Sequence, residues 1–314
     1  MKKIPPIIET HALTRDFKKT RAVDSLTLSI QPGELFGLVG PDGAGKTTTL
    51  RLLAGLLDIS SGSAQVAGYD LARQPEAIKR QIGYMAQQFS LYGELSVSEN
   101  LSFFAELYDV PVGKLQERTE RLLTFASLTE FKDRRAAQLS GGMQKKLALA
   151  CTLIHHPDIL LLDEPTTGVD PVSRREFWDI LTDLNLDGTT IVVSTPYMDE
   201  ADRCSRVGLM YEGRMVVCDT PQQIRAHVEG ELLELRPQDW QAAHALVETL
   251  PGVLQVQTYG DLLHVLVDSA DERLPEIEAA LEEHDLPCLD IRRATPRMEE
   301  AFISLIKRLE SKGG

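Results

Sequence analysis

Gly40-Pro-Asp-Gly-Ala-Gly-Lys-Thr47 stands between two apolar segments of the chain. Leu35 to Val39, before it, is typical of a buried strand, and Thr48 to Leu57, after it, has the apolar spacing of a helix. A strand, a glycine-rich loop and a helix in this order can surround phosphate oxygens with backbone N–H groups and the positive end of a helix. The sequence therefore predicts an α/β fold with a site for a nucleoside triphosphate.

The residues of this loop have distinct predicted roles. The glycines let the backbone approach an anion, Lys46 reaches the β- and γ-phosphates, and the Thr47 hydroxyl can hold Mg²⁺. We assign nucleotide binding to the loop and the start of the helix: Gly40, Pro41, Asp42, Gly43, Ala44, Gly45, Lys46, Thr47 and Thr48. Since a similar string can arise by chance in a turn, the assignment depends on motifs further along the chain.

Composition narrows the class of protein. The chain has 314 residues, enough for more than one domain, and its 43% hydrophobic and 25% charged residues are typical of a soluble globular protein. Its net charge of −14 argues against a nucleic-acid-binding surface. The four cysteines form no Cys-x-x-Cys pair and are expected to be free thiols. We find neither a signal peptide nor a run of about 18 apolar residues, so a membrane role has to come from a partner.

Before residue 230, apolar runs and helical periodicities alternate, which indicates a mostly parallel sheet with covered faces and a β-subdomain at the start. A polar turn containing Phe17 separates the first two strands. The predicted strands are Ile7–Leu13, Leu26–Ile30, Leu35–Val39, Ser63–Ala67, Ile82–Met85, Asp158–Leu162 and Thr189–Ser194. Helices are predicted at Pro171–Leu184 and Tyr197–Cys204, the latter capped by Thr195 with Pro196 in its first turn.

A helical insertion interrupts this alternation. Apolar residues recur at helical spacing from Ser98 to Leu128, and Pro111 separates two helices. Leu139-Ser-Gly-Gly-Met143 then opens another helix, which runs to about Ile154 with Ser140 as its N-cap.

A change of composition near Gly230 marks a predicted domain boundary. The pattern after it is strand, helix, strand, strand, helix, strand, which indicates a small α+β, ferredoxin-like domain. The predicted elements are Leu232–Leu235, Trp240–Leu250, Leu254–Thr258, Leu262–Val267, Leu274–Glu283 and Cys288–Arg292. An amphipathic helix is expected from Met298 to Leu309.

Three motifs occur in an order that resembles the ATP-binding subunits of ABC transporters. They are the glycine-rich loop, Leu139-Ser-Gly-Gly-Met143 and Leu160-Leu-Leu-Asp-Glu164. The resemblance covers about residues 7–228, and the tail resembles the C-terminal domain of drug-resistance exporters similar to those for daunorubicin. It implies an ATP-binding domain over residues 1–229, with a helical subdomain at about 88–140, and an accessory domain over residues 230–314.

The resemblance also implies roles for residues outside the loop. Asp163 would act on the Mg²⁺ shell, and Glu164 would orient or deprotonate the attacking water, so that Glu164, Lys46 and Gln87 form the expected catalytic set. Ser140, Gly141 and Gly142 would contact the γ-phosphate of ATP bound to a second subunit. The working unit is therefore expected to be a dimer.

Three further positions match the family less specifically. Gln87 stands where a glutamine touches Mg²⁺ or water and moves with the membrane subunit. Phe17 stands where an aromatic residue stacks on adenine, although core packing in the β-subdomain would also explain it. Asp170 matches an aspartate at the dimer contact.

Pro196 departs from the family pattern, which has a γ-phosphate-contacting histidine after this strand. Proline has no side-chain donor and no N–H, so it cannot make that contact. Losing such a contact could slow hydrolysis on the order of 10²- to 10³-fold, by analogy with removal of an oxyanion-hole donor. Our hypothesis is that this subunit binds ATP well, hydrolyses it slowly and lends its intact signature, the motif Leu139–Met143, to a partner's site.

The resemblance implies an ATPase subunit, with ATP and Mg²⁺, that powers export of drugs or other hydrophobic substrates. Its expected partners are a separately encoded permease, a second ATP-binding subunit in a homo- or heterodimer, and a periplasmic adaptor in the assembled exporter. Its expected place is the cytoplasmic face of the inner membrane. Docking of the permease is expected at about Phe89 to Leu128, with Tyr92 and Glu94 as contacts.

Two alternatives stay open at this point. A non-hydrolysing regulatory subunit would share every binding motif; Glu164 argues against it and Pro196 argues for it. A soluble ABC-type ATPase acting on ribosomes or DNA would usually carry two ATPase domains or a long coiled-coil insertion, and the sequence has no such heptad run.

Overall fold

The computed structural model describes residues 4–88 and 91–313, which form two compact units. One unit ends at Pro221 and the other begins at Gln222. The predicted boundary between residues 229 and 230 lies slightly further along the chain and stays a prediction.

The elements of the first unit are numbered in chain order. Its strands are β1 (Ile8–Phe17), β2 (Thr20–Ile30), β3 (Leu35–Val39), β4 (Ser61–Val66), β5 (Tyr69–Asp70), β6 (Ile82–Met85), β7 (Ile159–Asp163), β8 (Thr190–Thr195), β9 (Arg206–Tyr211) and β10 (Arg214–Asp219). Its helices are α1 (Lys46–Leu53), α2 (Pro75–Gln81), α3 (Val97–Leu107), α4 (Val112–Phe125), α5 (Gly141–Leu153), α6 (Pro171–Leu186) and α7 (Met198–Ala201).

A six-stranded sheet positions the site. Its order is β10-β9-β3-β8-β7-β6, and all neighbours are parallel except the β9–β10 hairpin. Every residue of β3, β7 and β8 is buried, as expected for strands covered on both faces. Register pairs Val39 with Thr195 and Asp163 with Ser194, so the polar ends of three strands meet at one edge.

The β-subdomain is a four-stranded sheet of order β2-β1-β4-β5. Alternate residues of its strands, such as Ile8 and Leu26, share one hydrophobic core with Phe36 of β3 and Leu50 of α1. This shared core fixes the glycine-rich loop between the two sheets.

The helices α3, α4 and α5 form a separate cluster around Leu101, Leu123 and Leu147. Ser96 and Glu99 make a reciprocal capping box that starts α3, and Pro111 lies between α3 and α4 as predicted. The Ser140 hydroxyl accepts the Met143 N–H (3.3 Å), which confirms Ser140 as the N-cap of α5. The extent of the helical subdomain, about 88–140, stays a prediction.

Two predicted helices are shorter in the structure. α1 ends at Leu53 rather than Leu57, because Gly55 is left-handed (φ +65°) and the N–H groups of Gly55 and Leu56 bond back to Leu52 and Arg51. These two bonds make a Schellman motif, which ends the helix.

The helix predicted over Tyr197–Cys204 is only the single turn α7. Its N-cap is Tyr197, not Thr195, and Pro196 therefore precedes the helix. The chain leaves the helix early because the Ser205 N–H already bonds to the Leu35 carbonyl, so that β9 can pair with β3. The hairpin of β9 and β10 was not predicted, and Phe17 ends β1 instead of lying in a turn.

The second unit carries β11 (Glu231–Pro237), α9 (Trp240–Val247), β12 (Val253–Tyr259), β13 (Leu262–Val267), α10 (Ala270–Glu283), β14 (Cys288–Ala294) and α11 (Met298–Gly313), after α8 (Pro221–Arg225) at the division. Its sheet order is β12-β13-β11-β14 with every pair antiparallel, which is the ferredoxin-like arrangement expected from the βαββαβ order. Over residues 4–88 and 91–313, no helix has the length and apolarity needed to cross a membrane.

Candidate functional site

A cleft of about 960 Å³ opens where the glycine-rich loop meets the ends of β7 and β8. Its lining includes Phe17, residues 42–48, Gln87, Glu164, Thr167, Pro196 and Tyr197. Predicted site residues from four separate parts of the chain therefore share one cleft. Gly40, Pro41 and Asp163 are not part of its lining.

The loop can form only with glycine at two of its positions. Gly45 is left-handed (φ +100°), and a Cβ there would lie 2.3 Å from the Ala22 carbonyl oxygen. A Cβ on Gly40 would lie 2.3 Å from the Met210 carbonyl oxygen. The loop therefore passes against the backbone of both β2 and β9, and α1 begins directly after it at Lys46.

Lys46 is buried at the base of the cleft. Its Nζ donates to the carbonyl oxygens of Gly40 (2.8 Å) and Pro41 (3.0 Å) and lies 3.4 Å from Glu164 Oε1. Both carbonyls are acceptors with which a bound phosphate would compete. The ammonium group is thus placed between the loop and the carboxylate predicted to act on water.

Thr47 and Asp163 meet behind the loop. The Thr47 hydroxyl donates to Asp163 Oδ1 (2.9 Å), which also accepts from the Ser194 hydroxyl (2.7 Å). Asp163 is fully buried, and its Oδ2 has no hydrogen-bond partner among the residues the structure describes. Hydroxyl and carboxylate oxygens are ligands that Mg²⁺ prefers, and an unpartnered buried carboxylate oxygen fits a cation. These residues therefore suit the metal that the sequence predicts.

Glu164 contacts three other residues of the cleft. Its Oε2 accepts from Gln87 Nε2 (2.7 Å) and from the Thr167 hydroxyl (3.3 Å), and its Oε1 faces Lys46. Its backbone has φ +46°, a left-handed conformation that costs a non-glycine residue roughly 1–2 kcal/mol. The Glu164 N–H is held by the Ser194 carbonyl oxygen (3.1 Å). Such local strain is characteristic of functional sites.

Gln87 is held through both its side chain and its backbone. Its side-chain amide Nε2 donates to Glu164, and its backbone carbonyl oxygen accepts from Lys145 Nζ (3.0 Å). Burial lowers the pKa of the Lys145 ammonium, while Glu164 and Asp163 oppose that change. The predicted catalytic set, Glu164, Lys46 and Gln87, is thus brought together by direct contacts.

Phe17 lies at the rim of the cleft and is 39% exposed. The Arg15 guanidinium covers one face of its ring, 4.6 Å from the ring centre. This exposure argues against the alternative of core packing and suits a stacking surface. Adenine stacking on Phe17 stays a prediction.

Ser140, Gly141 and Gly142 lie at the start of α5 and do not line this cleft. Asp170 caps α6, where the N–H groups of Ser173 and Val172 lower the pKa of its carboxyl. Neither group is brought to the chain's own glycine-rich loop, and their predicted dimer contacts stay predictions.

Tyr92 and Glu94 lie on the surface of the helical cluster. Tyr92 is half-exposed and packs edge-on against Phe103, with ring centres 4.5 Å apart, and Glu94 pairs with Arg135 (3.3 Å). Phe89, the predicted start of the docking region, lies outside the described residues.

Three residues near the cleft were not predicted from the sequence. Ser194 holds both Asp163 and the Glu164 N–H, Tyr197 lines the cleft beside Pro196, and Glu200 is buried beneath them. Polar residues at the end of the apolar β8 were the available signal for Ser194. Glu200 had no such signal, because its partners lie on other loops.

The chain is similar to a known protein family and to individual known proteins. The family profile described as ABC transporter matches residues 23–167. The probable multidrug ABC transporter ATP-binding protein YbhF of Escherichia coli (strain K12) is 41% identical over 91% of this chain but 49% of its own length, so the chain spans about half of that relative.

A second relative matches along nearly its whole length. The daunorubicin resistance ATP-binding protein DrrA2 of Streptomyces coeruleorubidus is 33% identical over 95% of this chain and 94% of its own. Among solved structures, the dimeric post-hydrolysis state of the ATP-binding cassette MJ0796 bound to ADP and Pi is similar, with a TM-score of 0.63 and 26% identity over 68% of this chain and 98% of that one.

Proposed function

This chain belongs to the ATP-binding proteins of ABC transporters, a family of ATPases, and we propose that it hydrolyses Mg²⁺-ATP to drive export through a separately encoded membrane permease. The observation that carries the proposal is the convergence of Lys46, Gln87 and Thr167 on the carboxylate of Glu164. The names of the relatives favour drugs or other hydrophobic compounds as substrates.

The residues divide the chemistry between binding and water activation. The backbone N–H groups of residues 42–48 and the Lys46 ammonium hold the phosphates, and Phe17 offers a face for adenine. Thr47, Asp163 and Gln87 would hold Mg²⁺, which neutralises charge on the β- and γ-phosphate oxygens when bound. Glu164 orients a water molecule and takes its proton, and the contacts from Gln87 and Thr167 fix the carboxylate for that step.

A second ATP-binding subunit completes the proposed site. Ser140, Gly141 and Gly142 form a capped helix N-terminus apart from the cleft of their own chain, and such a terminus favours an anion. We assign them to the γ-phosphate of ATP on the partner, with Asp170 at the contact. In return, the partner's signature would close the site of this chain.

Because of Pro196, the two ATP sites of the proposed dimer should hydrolyse ATP at different rates. It lines the cleft beside Tyr197 but offers no side-chain donor for the γ-phosphate. The site of this chain should therefore bind ATP and turn over slowly, whereas a partner with a histidine at this place should turn over faster. Glu164, with its three side-chain partners, favours slow hydrolysis over none.

Permease docking is proposed on the helical cluster, at the surface that includes Tyr92 and Glu94. Tyr92 with Phe103 offers an exposed aromatic pair, and Glu94, two residues along the chain, is an exposed carboxylate paired with Arg135. The proposed location of the assembled protein is the cytoplasmic face of the inner membrane, with a periplasmic adaptor as a further partner.

Replacement of Glu164 by glutamine tests the proposed chemistry. The variant is nearly isosteric and keeps a polar side chain at this position, but it has no carboxylate base. We expect ATP affinity within about threefold of the wild type and single-turnover hydrolysis slower by about 10²-fold or more. The measurement is single turnover of labelled ATP by the full chain in its assembled complex, where a second subunit completes the site.

Glu76→Gln, at an exposed position on α2, is the matched control and should leave both quantities unchanged. An unaltered rate in Glu164→Gln, with binding intact, would remove Glu164 from the mechanism. A wild-type chain that fails to bind ATP would contradict the proposed function altogether.

A further inference from the structure

Glu200 is a buried carboxylate near the cleft, and its side chain contacts none of the described residues that are predicted to bind nucleotide. It belongs to α7 and is 1% exposed. Its Oε1 accepts from the Thr166 hydroxyl (2.7 Å), and its Oε2 accepts from the Thr195 hydroxyl (2.6 Å). Hydrogen bonds to an ionised acceptor are shorter and stronger than neutral ones. One carboxylate therefore ties together two loops that leave different strands.

The first of these loops leads to the water-activating carboxylate. Thr166 is two residues beyond Glu164 and is itself buried. Its neighbour Thr167 donates to Glu164 Oε2 (3.3 Å). A shift of Thr166 would therefore displace a direct partner of Glu164.

The second loop leads to the phosphate-binding backbone. The carbonyl oxygen of Thr195 accepts the N–H of Gly40 (3.3 Å), where the glycine-rich loop begins. The Thr195 hydroxyl also accepts the N–H of Tyr197 (3.1 Å), which holds the turn around Pro196. Thr195 thus joins Glu200 to the start of the loop and to the position of the missing histidine.

The charge of Glu200 is only partly balanced. Arg174 Nε lies 3.8 Å from Glu200 Oε1, beyond hydrogen-bond distance, and its guanidinium stacks on the Tyr197 ring at 4.3 Å. Burying a carboxylate in this way costs free energy that an apolar side chain would not. Stability alone does not explain the residue, whereas fixed placement of two loops does.

We infer that Glu200 is a positioning residue for the proposed ATPase reaction. Its carboxylate fixes the loop after Glu164 relative to the loop after β8, so that the water-activating carboxylate and the phosphate-binding backbone keep one mutual geometry. The inference rests on the proposed function for its effect on rate, but the bracing of the two loops does not.

Glu200→Gln in the full chain tests two things separately: whether the two loops are braced, and whether the bracing affects the rate of hydrolysis. An amide has one acceptor oxygen, so at most one of the two threonine hydroxyls can still donate to it. We expect amide hydrogen exchange to accelerate about tenfold in both residues 164–170 and residues 194–198. We also expect single-turnover hydrolysis to fall about tenfold or more, with ATP affinity within about twofold, because a displacement of about 1 Å can cost on the order of 10² in rate.

Thr166→Val removes one of the two bonds from the other side, and it carries the test if Glu200→Gln does not fold. Thr195→Val removes the second bond together with the acceptor of the Tyr197 N–H. Each should lower the rate, and combining either with Glu200→Gln should add little, since all three act through one carboxylate. Thr182→Val is the matched control, because its hydroxyl donates to the Trp178 carbonyl oxygen within its own helix.

Three results would overturn the inference: exchange that changes in only one segment, strictly additive rate losses, or a normal rate with both segments loosened. If the wild type bound no ATP, the proposed function would fail, while the exchange measurement would still decide whether Glu200 braces the loops.

Discussion

Pro196 is the residue behind the proposed slow hydrolysis of ATP by this subunit. It stands one residue before the N-cap of α7, outside the helix. Another residue can therefore replace it without a change within the helix. It lines the cleft together with Glu164 and Lys46. The departure from the family pattern is therefore a change at the site itself and not a packing adjustment elsewhere.

Pro196→His should restore the missing donor. We expect single-turnover hydrolysis at this chain's own site to rise by about 10²-fold, the reverse of the loss estimated for one preorganised contact. The measurement uses the full chain with labelled ATP, and steady-state turnover of the assembled complex should rise with it. Pro251→His, at an exposed turn of the second unit, is the control. Unchanged turnover in Pro196→His would refute the idea of a weakened site.

Residues whose roles follow from local pattern could be predicted from the sequence. Lys46, Thr47, Asp163 and Glu164 lie in short motifs at strand ends, and parallel strands bring such ends to one edge. Glu200 could not be predicted, because its partner Thr166 is 34 residues away and the bond depends on how two loops pack.

The bounds of strands and helices agree with the predictions where the local sequence determines them, and differ where a distant contact does. The bounds of β3, β6 and β13 agree with the predictions, since each is an apolar run between turn residues. α7 is shorter than predicted because pairing of β9 with β3 pulls the chain away. Helical periodicity does not encode that pairing.

Three elements of the second unit meet at a buried histidine. His264 of β13 contacts Glu300 of α11 (2.7 Å) and Glu234 of β11 (3.4 Å), under the ring of Tyr259. Burial alone would raise the pKa of the Glu300 carboxyl, but bonds from His264 and from backbone N–H groups outweigh it and hold that pKa below its ordinary value. Arg292 likewise lowers the pKa of Glu234.

A carboxyl with a lowered pKa in the folded state stabilises the fold above its unfolded pKa, and the stabilisation is lost as pH falls through the folded value. The second unit should therefore lose stability on acidification from about pH 5 towards pH 3. Glu300→Gln should cost about 1–3 kcal/mol at pH 7 and should flatten this pH dependence.

Urea unfolding of the full chain, labelled with fluorotryptophan, can measure this effect. Trp240 reports on the second unit and Trp178 on the first, so one sample contains its own reference. Glu282→Gln, an exposed change on α10, is the control. An equally steep acid transition at Trp240 in Glu300→Gln would show that this contact does not govern the pH dependence.

The whole molecule is proposed to act only within an assembly. The cleft is lined without the Leu139–Met143 signature of its own chain, which favours a second subunit. Tagged chain isolated from gently solubilised membranes should bring down a permease and a second ATP-binding protein with an intact histidine, identified by mass spectrometry.

A permease without a second ATP-binding protein would contradict the proposed asymmetry and imply two identical slow sites. Recovery of ribosomal or DNA-bound proteins alone would refute the export proposal. Lys46→Ala, which should weaken ATP binding, serves as the comparison for ATP-dependent association.

The order of the central sheet also constrains how the chain is made. β3, which carries the glycine-rich loop, pairs only with β8 and β9 among the described strands, and Leu35 is matched to Ile191. Its neighbours leave the ribosome roughly ten to thirty seconds after it at ordinary synthesis rates. Until then this wholly apolar strand has no partner strand. Folding that depends on such distant pairing is slow, and the unpaired strand is prone to aggregation. The segment predicted to bind nucleotide is thus made early in synthesis, while the strand that carries it pairs late.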